Sequence, residues 1–245
     1  MYMTIRLSRL MKYLFAAVGF ILLISAIGAV LEQEEPDTVA VLAQQTPQEV
    51  LIIDPGHGGE DGGAVAPDGT KESEINLDIA QRIDALSRFC GMPTVMTRTS
   101  DVIEYPDSAG TTASRKAADQ KARVALINAV EHGILLSVHQ NKYPASGPRG
   151  PQVFYAATEG SRQLGELTQQ TMTDVLYPQN IRTAIQIPSS IYLMKHVRCP
   201  AILVECGFLS NPAECALLQQ ADYRLKTAVV LTAACVQYSS QSRSA

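Results

Sequence analysis

The sequence AILVECGFLSNP, residues 201–212, places a carboxylate directly after a run of apolar residues. An uninterrupted apolar run that leads into Glu205, a glycine and a polar turn is typical of a buried strand. Two other segments follow the same pattern, since VLIIDPGH leads to His57 and ILLSVH leads to His139. The sequence therefore predicts three buried strands that each deliver an acidic or metal-binding side chain near the carboxyl end.

Shorter apolar runs and helical patterns surround these three strands. Helices are predicted over residues 73–89, 113–131, 161–176, 212–219 and 222–237, and further strands over 94–97, 152–156 and 191–194. Strands that alternate with helices predict an α/β fold with a mostly parallel central sheet flanked by helices. Sites in such sheets form outside the carboxyl ends of the strands, where we expect His57, His139 and Glu205 to share a cleft.

Composition favours one globular domain. The chain has 245 residues, of which 46% are hydrophobic, and this is ample for one well-packed core. Its formal net charge of -4 argues against a nucleic-acid-binding protein, which would carry a basic stripe. The 5 cysteines form no CxxC pair, and because most of them lie in apolar surroundings we interpret them as structural residues.

The first 31 residues differ from the rest of the chain. Three basic residues precede an uncharged apolar stretch over 13–31, which is close to the ~20 residues of a membrane-spanning helix. A membrane anchor and a cleaved signal peptide both fit residues 1–31, and both predict export. A linker is predicted over 32–48, followed by a catalytic domain over 49–240.

Two histidines and one carboxylate form a candidate metal-ligand set. His57 lies in a glycine-rich loop, Glu72 begins the first helix of the domain, and His139 ends a strand. Hydrolytic zinc sites use this combination and keep a fourth position open for water. Spacing alone leaves a structural interpretation of each residue equally open. A cysteine hydrolase using Cys206 and His139 is a further alternative, but it gives Glu72 and His57 no task.

Four segments, IIDPGHGGEDGGA, KESEINLDIA, LLSVHQN and AILVECGFLSNPAE, together resemble the zinc-dependent N-acetylmuramoyl-L-alanine amidases of family 3. The resemblance covers residues 50–238. It implies one zinc ion bound by His57, Glu72 and His139, with Glu205 as the catalytic acid and base. It also implies hydrolysis of the amide between the lactyl group of N-acetylmuramic acid and L-alanine in peptidoglycan. Compact members of this family behind one hydrophobic segment include spore-cortex amidases.

One departure from the family concerns substrate contacts. Gln140 stands where the family usually has alanine, and we expect it to line the cleft, while Asn141 is a second candidate for substrate binding. Peptidoglycan is the expected partner, with the membrane as another if the amino-terminal segment is uncleaved; the sequence identifies no activator protein. Two other functions stay open, a tethered peptidoglycan-binding protein without turnover and a zinc hydrolase of another N-acyl amino acid or peptide.

Overall fold

The computed structural model describes residues 48–242, so the predicted amino-terminal segment and all but the last residue of the predicted linker lie outside the described residues. Within residues 48–242, no helix is both long enough and apolar enough to cross a membrane. The elements in chain order are β1 (Val50–Pro55), α1 (Glu72–Phe89), β2 (Thr94–Met96), α2 (Thr112–Ala129), β3 (Gly133–Asn141), β4 (Gln152–Tyr155), α3 (Ser161–Leu176), β5 (Ile185–Gln186), α4 (Tyr192–His196), β6 (Ala201–Phe208), α5 (Pro212–Leu218) and α6 (Ala221–Ser242).

The strands form one sheet in the order β2-β1-β3-β6-β4-β5. Every neighbouring pair is parallel except β4 and β6, which are antiparallel. The prediction of an α/β fold with a mostly parallel sheet flanked by helices is therefore confirmed. The central strands of the sheet, β1, β3 and β6, are the three that the sequence predicts to lead into functional side chains.

Helices cover both faces of the sheet. Apolar residues of α1, α3 and α6 pack with Leu51, Leu136 and Val204 on one face. On the other face, Ile127 of α2 and two residues of α4 pack with Ile52, Leu135 and Leu203. Successive side chains of a strand point to opposite faces of the sheet. The position of each strand residue in this alternation therefore decides which group of helices its side chain contacts.

The prediction of a strand over Ile191–Met194 is wrong. Residues Tyr192–His196 form the short helix α4, and the edge strand beside β4 is β5, Ile185–Gln186. A run of four apolar residues has no periodicity that distinguishes a strand from a turn of helix. Burial of Leu193 and Met194 against the sheet favours the helix. This correction places α4 beside the carboxyl ends of the central strands.

A buried ion pair joins β1 to α2. Arg123 Nη1 lies 2.7 Å from Asp54 Oδ1, and the two side chains are only 4% and 3% exposed. Burial by itself would raise the pKa of Asp54, but Arg123 and hydrogen bonds from Ser137 and Thr97 lower it overall. Arg123 also donates to the carbonyl oxygen of His57, at 2.8 Å. The pair therefore supports the loop that carries a candidate ligand.

We expect Arg123→Met to lower the free energy of unfolding by about 3–5 kcal/mol, because it leaves the Asp54 carboxylate buried without its partner. Urea titration monitored by circular dichroism measures this loss. Arg88→Met is the control, since Arg88 forms a largely exposed pair with Asp84 at 2.9 Å. Exposed pairs contribute about 0–1 kcal/mol. Equal losses in the two variants would contradict a structural role for the buried pair.

Candidate active site

The carboxyl ends of β1, β3 and β6 meet at one edge of the sheet, and the predicted functional residues lie there. His139 and Glu205 are paired directly in the register of β3 and β6. Both continue the alternation of Leu135 and Leu203, so their side chains point to the face that α2 and α4 cover. Polar side chains thus replace apolar ones where this face opens into a cleft.

Glu72, the first residue of α1, places its carboxylate between two imidazole rings. Its Oε1 atom lies 3.3 Å from His57 Nε2 and 3.0 Å from His139 Nδ1. The two rings are nearly perpendicular, with centroids 5.1 Å apart. One donor atom from each of the three residues lies within 4.8 Å of the other two. The structure therefore brings together the three residues that the sequence predicts as metal ligands.

Three hydrogen bonds fix the Glu72 carboxylate. The backbone nitrogen of Ala64 donates to Oε2 at 2.8 Å, while Gln140 N and Asn76 Nδ2 donate to Oε1 at 3.0 and 3.3 Å. Burial would raise the pKa of Glu72, but the two neighbouring imidazoles outweigh it and lower the pKa. The carboxylate is therefore ionised and held in one orientation, as a metal ligand requires.

The loop after β1 holds His57 in a defined orientation. Its backbone has φ 61°, in the left-handed region that few non-glycine residues adopt. The ring Nδ1 lies 3.0 Å from Asp61 Oδ2, which in turn lies 2.9 Å from Lys116 Nζ. Burial lowers the pKa of His57, but contacts with Glu72 and Asp61 raise it overall. Asp61 thus occupies Nδ1 and leaves Nε2 directed towards Glu72.

Two glycines let the loop approach these side chains closely. A Cβ atom at Gly56 would lie 2.2 Å from His139 Cε1, and one at Gly63 would lie 2.6 Å from Glu72 Oε2. Gly63 also has φ 67°, which disfavours any other residue. Glycine is required at both positions because the loop backbone packs directly against the candidate ligands.

Glu205 differs from Glu72 in having an unpaired oxygen. Its Oε2 atom is buried and makes no hydrogen bond to any residue within 48–242. Burial raises the pKa of this carboxyl group to about 7. Buried polar atoms are nearly always paired, so an unpaired oxygen beside a donor cluster indicates a group that acts on a ligand. A pKa near neutrality suits a group that both accepts and donates a proton.

Glu205 and the two histidines lie in a cleft of about 410 Å³. One wall is formed by α2, with Lys116 and Gln120, and the other by residues 190–194 at the start of α4. The cleft is large enough for part of an extended substrate. His57, His139 and Glu205 therefore converge in one cleft, and Glu72 lies buried between the two imidazoles.

The donor set fits a zinc ion. Two imidazole nitrogens and one carboxylate oxygen are the protein ligands of many hydrolytic zinc sites. A carboxylate on the second nitrogen of a ligand histidine, as Asp61 is on His57, is the usual outer contact in such sites. The unpaired oxygen of Glu205 lies in the same cleft.

The expectation that Gln140 lines the cleft is wrong. Its side chain is 2% exposed and donates from Nε2 to Asn76 Oδ1 of α1 at 3.1 Å. Because it follows His139 in β3, its side chain points to the opposite face of the sheet, towards α1. Gln140 therefore supports the Glu72 carboxylate through Asn76 and through its own backbone nitrogen. Asn141 is half-buried and stays a predicted substrate contact.

The same alternation removes the cysteine-hydrolase alternative. Cys206 follows Glu205 and packs into the core on the face of α1, so its sulfur points away from the cleft. Burial strongly raises the pKa of its thiol, which opposes formation of the reactive thiolate. All five cysteines lie within the described residues and are free; Cys206, Cys215 and Cys235 are buried, whereas Cys199 is half-buried and Cys90 is exposed.

Several residues that support the site were not identified from the sequence. Asp61 is one, and its spacing of four residues from His57 within the loop was the available signal. Arg98 is another: it is buried and donates to the carbonyl oxygens of Pro55, Gly56 and Ser73 at distances of 2.9–3.1 Å. Its neighbours in the sequence are polar and form a loop, so no local pattern indicates burial.

Comparison with known proteins gives consistent matches. The family described as N-acetylmuramoyl-L-alanine amidase matches residues 51–235. The germination-specific N-acetylmuramoyl-L-alanine amidase of Bacillus subtilis (strain 168) is 38% identical over 184 residues, covering 73% of this chain and 75% of that protein.

Solved structures of amidases also match this chain. The CwlD amidase from Clostridioides difficile, in complex with the GerS lipoprotein, has a TM-score of 0.75 at 32% identity, covering 78% of this chain and 98% of that chain. An N-acetylmuramoyl-L-alanine amidase from Clostridium difficile 630 has a TM-score of 0.67 at 26% identity, covering 78% of this chain and 96% of that chain.

Proposed function

The chain belongs to the N-acetylmuramoyl-L-alanine amidase family and is a peptidoglycan amidase, and we propose that its reaction takes place between His57, Glu72, His139 and Glu205. The substrate bond joins the lactyl carbonyl of N-acetylmuramic acid to the nitrogen of L-alanine. The observation that carries this proposal is the buried, unpaired Glu205 Oε2 in the cleft that His57 and His139 line, two of the three members of the donor set.

His57 Nε2, Glu72 Oε1 and His139 Nδ1 are the atoms we propose to hold one zinc ion per chain. A bound zinc ion lowers the pKa of water to about 7 and polarises a carbonyl group. The hydrogen bonds to Glu72 and the contact between Asp61 and His57 keep the donor atoms in place before substrate arrives. This arrangement reduces the reorganisation that binding would otherwise require.

Glu205 is proposed as the group that moves the proton. Its Oε2 accepts a proton from the attacking water as the water oxygen bonds to the carbonyl carbon of the lactyl group. It then donates this proton to the alanine nitrogen as the carbon–nitrogen bond breaks. The products are a lactyl carboxylate on the sugar and a peptide with a free amino terminus. Burial that raises the pKa of Glu205 supports both steps, because the group gains and loses its proton readily.

Defined substrates test this function. We expect the zinc-loaded chain to release L-alanyl peptides from N-acetylmuramoyl-peptides and to leave unrelated N-acyl amino acids uncleaved. Cleavage of both groups at similar kcat/KM would favour a general N-acyl hydrolase. Binding to purified wall with no cleared zone in a zymogram would favour the peptidoglycan-binding protein without turnover.

Asp61→Ala is expected to weaken zinc affinity by about 10- to 100-fold, because it removes the acceptor that orients His57. Competition with a chromophoric chelator measures the affinity. Glu60→Ala is a matched control: Glu60 is the adjacent acid of the same loop and pairs with Arg115 of the same helix, α2. If the two variants lose the same affinity, the effect belongs to the loop–helix contacts and Asp61 has no specific role.

We further propose that residues 1–31 direct the catalytic domain to the cell-wall compartment, either as a membrane anchor or as a cleaved signal. Amidase activity on peptidoglycan requires action outside the cytoplasm. The germination-specific relative supports a role in sporulation or germination, and the complex formed by the CwlD amidase with a lipoprotein supports a protein partner. Immunoblotting of membrane and wall fractions for the mature size separates an anchored from a cleaved form.

A further inference from the structure

The two walls of the cleft differ in chemistry. On α2, the half-exposed side chain of Lys116 and the amide of Gln120 face the cleft. On the other wall, Ile191 and Tyr192 are 40% and 38% exposed, and Met194 is buried. The cleft that His57, His139 and Glu205 line therefore has a cationic, hydrogen-bonding wall and an apolar, aromatic wall.

Lys116 forms one ion pair beside the site and has spare hydrogen-bonding capacity. Its ammonium group lies 2.9 Å from Asp61, which contacts His57, so the positive charge is held beside the site. A lysine ammonium has three donors, and the contact with Asp61 uses one. Gln120 makes no side-chain hydrogen bond to any residue in the described range. This wall can therefore receive an anionic, amide-rich ligand.

The aromatic wall is rigid. The ring of Tyr192 packs on the ring of His196 with centroids 4.1 Å apart, and His196 Nδ1 lies 2.8 Å from the Tyr192 carbonyl oxygen. A tyrosine held in this way offers apolar area and a hydroxyl group at low entropic cost. Sugar rings combine apolar faces with hydroxyl groups, so this wall fits the carbohydrate part of a ligand.

We propose that the substrate lies across the cleft with its sugar on the Tyr192 wall and its acidic stem peptide along Lys116 and Gln120. This inference rests on the proposed amidase function and deepens it, because it assigns the two halves of the substrate to different walls of the cleft. It also predicts a preference for stem peptides with a free carboxylate near the cleaved bond. The reverse orientation places a carboxylate against the exposed apolar side chain of Ile191, where its loss of hydration is uncompensated.

Four model substrates test this orientation with the full-length chain. They are a muramoyl dipeptide whose second residue carries a free carboxylate, its amidated form, and the two corresponding lactoyl dipeptides without the sugar. The variants are Lys116→Met and Tyr192→Ala. Their controls are Lys121→Met, an exposed lysine of the same helix outside the cleft, and Phe89→Ala, which is 89% exposed and roughly 26 Å along α1 from Glu72.

Wild-type enzyme is expected to prefer the free carboxylate over the amide by about 10-fold in kcat/KM, as for a hydrogen bond to a charged group. Lys116→Met should bring this ratio to about 1 and leave the preference for the sugar intact. Tyr192→Ala should reduce only the preference for the sugar, by roughly 2- to 10-fold. A merely structural defect lowers kcat/KM equally for both members of each substrate pair, so it leaves the two preference ratios unchanged.

The outcomes separate this inference from the proposed function. Cleavage of the muramoyl dipeptide by wild-type enzyme, with ratios unchanged in Lys116→Met and Tyr192→Ala, overturns the orientation and leaves the amidase function standing. Exchanged effects, with Lys116→Met altering only the sugar preference, show the reverse orientation. Failure of wild-type enzyme to cleave or bind any of the four compounds overturns both the amidase function and the orientation.

Discussion

Glu205→Gln is expected to reduce turnover by about 100-fold to 10,000-fold while zinc content stays normal. The amide keeps the size and shape of the carboxylate but cannot accept the proton of water. Glu205 lies outside the proposed ligand set, so the donor atoms of His57, Glu72 and His139 remain in place. Steady-state kinetics on a muramoyl peptide and elemental analysis of the same sample measure the two quantities.

Substrate binding should survive in Glu205→Gln, because the cleft and its metal ligands are untouched. The control is Glu214→Gln: Glu214 is also buried, but its carboxylate accepts hydrogen bonds from Gly150 N and Phe208 N and lies outside the cleft lining. Zinc loss together with activity loss in Glu205→Gln would make Glu205 a ligand or a structural acid. Near wild-type turnover would remove it from the mechanism.

His139→Ala is expected to lose zinc and activity together. Removing one of three protein ligands should cost more zinc affinity than the roughly 10- to 100-fold that accompanies loss of an outer contact. His139 is a cleaner test than His57, because alanine at His57 would also be strained by its φ of 61°. Chelator competition gives the affinity, and muramoyl-peptide hydrolysis gives the activity.

His132→Asn is the matched control for His139→Ala. His132 precedes β3, at the end of the strand opposite to the site, and has φ 52°. Asparagine tolerates this left-handed conformation, so the substitution removes an imidazole with little backbone strain. Full zinc occupancy in His139→Ala, or equal zinc loss in His132→Asn, would show that the proposed ligand set is wrong.

The position of the site could be predicted from the sequence because it depends on strong local patterns. Three apolar runs end in His57, His139 and Glu205, and parallel strands bring such ends to one edge of the sheet. The strand alternation was also available: Gln140 and Cys206 each follow a residue that faces the cleft, so both must face the core. The strand alternation therefore contradicts the expectation that Gln140 lines the cleft.

Other features had no local signal. Arg98 lies among polar loop residues and Arg123 among mostly apolar residues of α2, and neither setting indicates that an arginine is buried and paired. Only the folded chain shows the carbonyl oxygens and the carboxylate that they bind. Strand β5 has two exposed residues, too few for any periodicity. The apolar wall of the cleft has no local signal either, because packing against the sheet decides that Tyr192–His196 is a helix.

Mass spectrometry of peptidoglycan fragments after digestion tests the central claim most directly. The wild-type chain should release intact stem peptides with free amino-terminal L-alanine and leave glycan strands with unsubstituted lactyl carboxylates. Glu205→Gln should produce neither the free stem peptides nor the unsubstituted lactyl carboxylates above background over the same period. Fragments cut between amino acids of the stem, or within the glycan strand, would contradict hydrolysis of the lactyl–alanine amide by this site.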